Sequence, residues 1–163
     1  MVTFVLAVSV SLPLHAKQEI VLIEIRGDSL ATPIEISDPR IIIEFSVWNG
    51  PGVVSSDGEG RLNPPAYLDP DREEGRFIDW PRGIVGDKPV LSNRFDVTLY
   101  LGKSPNQRLY PFTYATDSVS NQGFIFLPLA STAVILHGVE DNWFYASEQW
   151  DELITPRITA AME

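Results

Sequence analysis

The chain has 163 residues and no cysteine, so disulfides and thiolate chemistry contribute nothing to it. Twenty-two acidic residues against twelve basic ones give a net charge of −10, and the basic ones form no run or stripe. Such a chain repels phosphate backbones and anionic membrane surfaces, which removes nucleic acid and anionic lipid from the expected partners.

Val2 to Leu14 is an apolar run without a charge. It ends in Leu14-His15-Ala16, and Lys17 opens an ordinary charged sequence. This is the pattern of a secretory h-region with a small residue at its cleavage site. It falls short of the about 20 apolar residues that a membrane span needs. The expectation is a signal peptide over residues 1–16, delivery to the periplasm or the medium, and one mature globular domain over 17–163. A domain of that size buries enough surface for its own core. The alternative is that the run forms a buried N-terminal strand. The lack of cysteine and of Asn-x-Ser/Thr sequons points to a bacterial source.

Ile20 to Ile25 is a β-branched apolar run that stops at Arg26-Gly27-Asp28 and reads as a buried strand. Pro33 to Ile36 can pair with it. Ser37-Asp38-Pro39 is a helix start, an oxygen-bearing cap followed by proline at the first helical position. Ile41, Ile42, Phe45 and Trp48 then fit one helical face, while the alternation at 41, 43, 45 and 47 would suit a strand; the reading is a short helix. From Asn49 to Lys88, Gly and Pro recur and predict a long central loop. Phe77, Ile78, Trp80 and Ile84 suggest that its second half packs back on the body.

Phe95, Val97, Leu99 and Leu101 alternate with polar residues and predict a half-buried strand. Lys103 to Gln107 is a turn, and Arg108 to Thr116 a second strand. Asp117 to Gly123 turns again into a third strand, Phe124 to Leu129. Thr132 to Leu136 and Trp143 to Tyr145 read as further strands. Ser147 caps a C-terminal helix with Glu148, Asp151 and Glu152 in its first turns. Trp150, Leu153 and Ile154 form its buried face, and Pro156 kinks or ends it. The fold class is therefore α+β, an antiparallel β-meander with one or two flanking helices and a long central loop.

Five segments carry a resemblance: Pro33-Ile34-Glu35-Ile36-Ser37-Asp38-Pro39, Val47-Trp48-Asn49-Gly50-Pro51-Gly52, Phe77-Ile78-Asp79-Trp80, Gly123-Phe124-Ile125-Phe126-Leu127-Pro128 and His137-Gly138-Val139-Glu140-Asp141-Asn142-Trp143-Phe144. Together they resemble a family of uncharacterised secreted bacterial proteins, over nearly the whole mature chain. The resemblance implies export and a single domain; it brings no activity and no catalytic residue.

Gly27-Asp28-Ser29-Leu30 after a strand matches the first block of GDSL-type esterases. A serine needs a histidine to take its proton. No Asn is followed by Asp here, and Val134 stands where the Asp of an Asp-x-x-His block would precede His137. A β-turn is the reading that remains. Arg26-Gly27-Asp28 also spells the integrin-binding tripeptide, with nothing else to suggest a matrix protein. One histidine in the mature chain and no cysteine cannot furnish a usual zinc set. Asp69, Asp71 and Glu73 alternate like calcium ligands, but Glu74 and Trp80 stand where an EF-hand needs Gly and Glu. No Gly-rich phosphate loop occurs, and no cofactor, metal or catalytic residue is assigned.

Tyr110, Phe112 and Tyr114 lie on one side of a strand, with Phe124 and Phe126 on the next. Exposed, they would form a platform for sugar rings or a peptide; buried, they are core. The functional expectation is a non-catalytic extracytoplasmic binding or accessory domain, its partner a glycan or another envelope protein. The alternative is a small cell-envelope hydrolase using carboxylates, with or without His137. A purely structural accessory protein is the third reading.

Overall fold

The structure is a computed structural model that describes residues 19–47, 50, 54–55, 77–86, 91–102, 108–117, 120–129 and 135–163. The expected signal segment 1–16, Trp48 and the acidic group Asp69, Asp71 and Glu73 lie outside the described residues. In chain order the elements are β1 (Ile20–Arg26), β2 (Ile34–Ile36), α1 (Pro39–Ile42), β3 (Val54–Ser55), a 3-10 turn (Trp80–Arg82), β4 (Leu91–Leu101), β5 (Arg108–Asp117), β6 (Gly123–Leu127), β7 (Ile135–Leu136), β8 (Asn142–Tyr145) and α2 (Glu148–Met162).

Among the described residues six strands form one antiparallel sheet in the order β2-β1-β4-β5-β6-β8, with the meander β4-β5-β6 at its centre. The α+β antiparallel fold is thus as the alternation predicts. Register explains the core. Ile36, Ile23, Leu99 and Tyr110 share one rung, and Ile25, Val97 and Phe112 the next. Phe95, Tyr114, Ile125 and Phe144 make a third. All eleven side chains point to one face, and none is more than 4% exposed. Period-2 alternation has gathered every large apolar residue of these rungs on this inner face.

Helix α2 packs on the inner face through Trp150, Ile154 and Ile158, spaced four apart so that they stack along one side. Ser147 caps it, its hydroxyl accepting from the Trp150 N–H at 3.1 Å. Pro156 does not end the helix, which runs on to Met162. Proline costs the bond to the Glu152 carbonyl, but both residues are exposed, so water can take that acceptor. Helix α1 is a single turn capped by Asp38, whose carboxylate accepts from Arg40 N–H at 3.0 Å. Beyond it Phe45 and Val47 are buried with Ile42.

Two parts of the central segment meet the body. β3 pairs with β7 in a separate two-stranded ladder, Val54 opposite Leu136. Residues 77–86 run along the outer edge of β8, where Asp79 N–H donates to the Tyr145 carbonyl at 2.9 Å and Val85 N–H to that of Trp143 at 2.8 Å. They cover an edge that would otherwise present unpaired backbone groups. Phe77 and Ile78 enter the core there, whereas Ile84, bridged to Phe144 through its backbone, is 49% exposed. Among the described residues no helix is long and apolar enough to cross a membrane.

Candidate binding surfaces

The aromatic stripe is core. Tyr110, Phe112 and Tyr114 are 3%, 2% and 0% exposed, the first against Phe77 and His137 and the other two beneath α2, so they offer no face to a ligand. Their polar ends are satisfied internally: the Tyr110 hydroxyl lies 2.7 Å from His137 Nε2, and that of Tyr114 donates to Asp151 Oδ1 at 2.9 Å. Phe124 and Phe126 are not on their side. Tyr114 pairs with Ile125, Ala115 with Phe124 and Thr113 with Phe126, which turns both phenylalanines to the opposite face.

The residues that suggested hydrolysis are separated. Ser29 is exposed in a β-turn closed by Leu30 N–H to the Gly27 carbonyl at 3.0 Å. Gly27 is there for packing, since a Cβ would lie 2.6 Å from Phe95 Cδ1. His137 is 2% exposed, its ring beside Trp80 at 5.0 Å, and its backbone N–H donates to the Glu140 carboxylate. Solvent does not reach its imidazole. Among the described residues no three of His, Asp or Glu come together as metal ligands.

The outer face, turned away from α2, carries a pattern that ordinary alternation does not produce. One rung reads Trp143, Phe126, Thr113, Asp96, Arg26, and the neighbouring rung Tyr145, Phe124, Ala115, Arg94. The Trp143 and Phe126 rings are 5.3 Å apart and those of Tyr145 and Phe124 5.4 Å, both pairs tilted. Trp143, Phe126 and Tyr145 are half-buried, while Asp96 and Arg94 are exposed. The Arg82 guanidinium sits 3.5 Å over the Tyr145 ring and donates to Gln122 Oε1 at 2.9 Å, so a cation is fixed at the strip's end. At the other end of the face Arg26 grips Glu24 with two bonds of 2.8 and 3.0 Å, and this pairing holds the Glu24 carboxyl below its usual range. A signal for the strip exists in the sequence: Phe124-Ile125-Phe126 and Trp143-Phe144-Tyr145 are apolar at consecutive positions, so each strand has large side chains on both faces.

On the inner side Asp151 ties α2 to the sheet. Its Oδ1 accepts from Tyr114 and its Oδ2 from the Gly123 N–H at 3.0 Å. Burial nevertheless outweighs these two donors and raises its pKa. A folded pKa above the unfolded value of about 3.9 means that the stability contributed by this carboxyl is complete below that pH. It is then lost as pH rises through the folded value. Asp151→Asn keeps an acceptor for Tyr114 and does not titrate. Urea denaturation of both proteins should show wild type losing ground to Asp151→Asn as pH rises from about 4 toward neutrality. A gap that widens in favour of wild type would mean that the two donors, not burial, set the ionisation.

Comparison of the chain with protein-family models, with curated proteins and with solved structures gives no match.

Proposed function

We propose that the protein is an exported, non-catalytic binding domain that holds a glycan chain on the outer face of its sheet. Export rests on the apolar run 2–14 with its small-residue end and on the resemblance to secreted bacterial proteins. The observation that carries the binding reading is the strip of half-exposed rings, Trp143, Phe126 and Tyr145, continued in the same rungs by Thr113, Asp96 and Arg94. A sugar has an apolar C–H face and a rim of hydroxyls. The rings supply area for the first, and a hydroxyl, a carboxylate and a guanidinium supply partners for the second. An open sheet face, unlike an enclosed pocket, admits a polymer along its length. His137, sealed among aromatic rings, cannot serve the hydrolase alternative, which would have to run on carboxylates alone.

Sedimentation with purified bacterial peptidoglycan and with an insoluble neutral polysaccharide tests this. Wild type should be retained by at least one of the two. Trp143→Ala should bind roughly tenfold more weakly or worse, the equivalent of losing about 1.5 kcal/mol or more of buried aromatic surface. Because Trp143 packs on the outer face and not in the core, near-UV circular dichroism of the remaining aromatics should stay folded-like. Equal retention of wild type and variant, or retention of neither, would overturn the assignment.

A further inference from the structure

A recess lies on the opposite side of the sheet from the aromatic strip, between the C-terminal half of α2 and the adjoining ends of β4 and β5. Its volume is about 470 Å³, within the range of small-molecule sites. The strand register shows why it exists. Inner-face positions of β4 read Leu101, Leu99, Val97 and Phe95, all buried, and then Asn93. Those of β5 read Tyr110, Phe112 and Tyr114, and then Thr116, which pairs with Asn93. The rung that should continue the apolar floor is polar, although Ile158, Thr159 and Met162 of α2 still border it. At the same place Leu91 pairs with Asp117 and Asn93 with Thr116, leaving Ser92 as an extra residue. Such a bulge re-aims the side chains beside it. Ser92 Oγ donates to the Thr116 carbonyl at 3.1 Å. Among the described residues the side-chain amides of Asn93 and Asn121, both lining the recess, have no hydrogen-bond partner.

We infer that this recess binds a small uncharged ligand bearing a secondary amide and hydroxyl groups, an N-acetylated sugar unit. A secondary amide directs its N–H and its C=O to opposite sides, so one Asn amide can donate to the ligand carbonyl while the other accepts from the ligand N–H. Thr116 provides a hydroxyl, Thr159, whose own hydroxyl donates to the Thr155 carbonyl at 3.0 Å, provides an acceptor, and Met162, 45% exposed, with Ile158 provides apolar surface for the acetyl methyl. Among the described residues no Lys, Arg or His lines the recess, while Glu163 does and Asp151 stands nearby. In a chain of net charge −10 this turns away phosphorylated or carboxylated ligands. The site shares no residue with the outer aromatic strip and does not depend on the reading of that face.

The test is a titration of the full chain followed by amide NMR, with N-acetylglucosamine, glucose, N-acetylglucosamine 6-phosphate and N-acetylalanine methylamide as separate probes. N-acetylglucosamine should shift the side-chain amides of Asn93 and Asn121, with glucose and the phosphate roughly tenfold weaker or silent. Asn93→Leu, which extends the apolar row of Phe95 and therefore folds, should weaken the response to N-acetylglucosamine by roughly tenfold or more. Trp143→Ala should leave it unchanged, so failure here is separable from failure of the outer-face reading. Shifts that are absent, that are equal for glucose, or that appear only with the peptide amide would overturn the sugar assignment.

Discussion

Trp150→Ala is expected to lower the free energy of unfolding by about 3–5 kcal/mol, against a total of about 5–15 kcal/mol for a domain of this kind. The side chain is 0% exposed, and its ring is the centre of the inner core. It meets Phe45 at 5.3 Å, Phe112 at 5.6 Å and Phe77 at 6.2 Å. These three come from the segment after α1, from β5 and from the segment that flanks β8. Truncation therefore empties the point where α2, the sheet and the central segment meet, and a cavity shared by several elements collapses poorly. Trp150→Phe should cost much less. Among the described residues the indole N–H has no acceptor, so its removal relieves a buried donor while most of the ring contact remains. Denaturant midpoints at unchanged slope would measure both effects. A midpoint for Trp150→Ala close to wild type would mean that α2 is not docked through this residue.

The same residues show what the sequence makes legible. β4 can be read from Phe95 onward because Phe95, Val97, Leu99 and Leu101 alternate with polar neighbours, and one face of that strand is buried. Its start at Leu91 cannot, since Asn93 and Arg94 carry strand pairing, and Ser92 a bulge, with no apolar signal. The stripe Tyr110, Phe112 and Tyr114 declares a common face but not whether that face is covered. That depends on Trp150 and Ile154, which lie far along the chain and reach it only through tertiary packing. The side to which Phe124 and Phe126 turn is hidden for a different reason. A strand apolar at every position fits either register, so the choice falls to the turn before Gly123 and to the Asp151 contact that ends there. This register, invisible in the pattern, separates the core aromatics from the outer strip on which the proposed function rests. The pairing of β3 with β7 is likewise a long-range closure that two-residue strands do not announce. The run of α2 through Pro156 follows from exposure at that position, which the proline alone does not reveal.

Gly123→Ala is expected to destabilise the domain by about 3 kcal/mol or more, a large effect for one methyl group. Gly123 opens β6 and lies directly under the first turn of α2. A Cβ placed there would stand 2.0 Å from Asp151 Oδ1 and 2.7 Å from both Cγ and Oδ2, distances that real contacts do not reach. Because the whole carboxylate is in the way, rotating its oxygens does not clear the space, and the side chain has to leave its rotamer. Leaving it breaks the bonds from Tyr114 Oη and from the Gly123 N–H together, each to a charged acceptor and each worth about 1.5–3 kcal/mol. Tyr114, at 0% exposure, keeps only the longer 3.3 Å contact with Thr155 Oγ1. If this carboxylate is the cause, the cost of Gly123→Ala should depend on Asp151 being present. In an Asp151→Ala background the methyl has room, and the same substitution should cost less than about 1 kcal/mol, so a double-mutant cycle should return a coupling of about 2 kcal/mol or more. Equal costs in the two backgrounds would place the strain in the backbone of the β6 turn instead, and would remove Asp151 as the tie between helix and sheet.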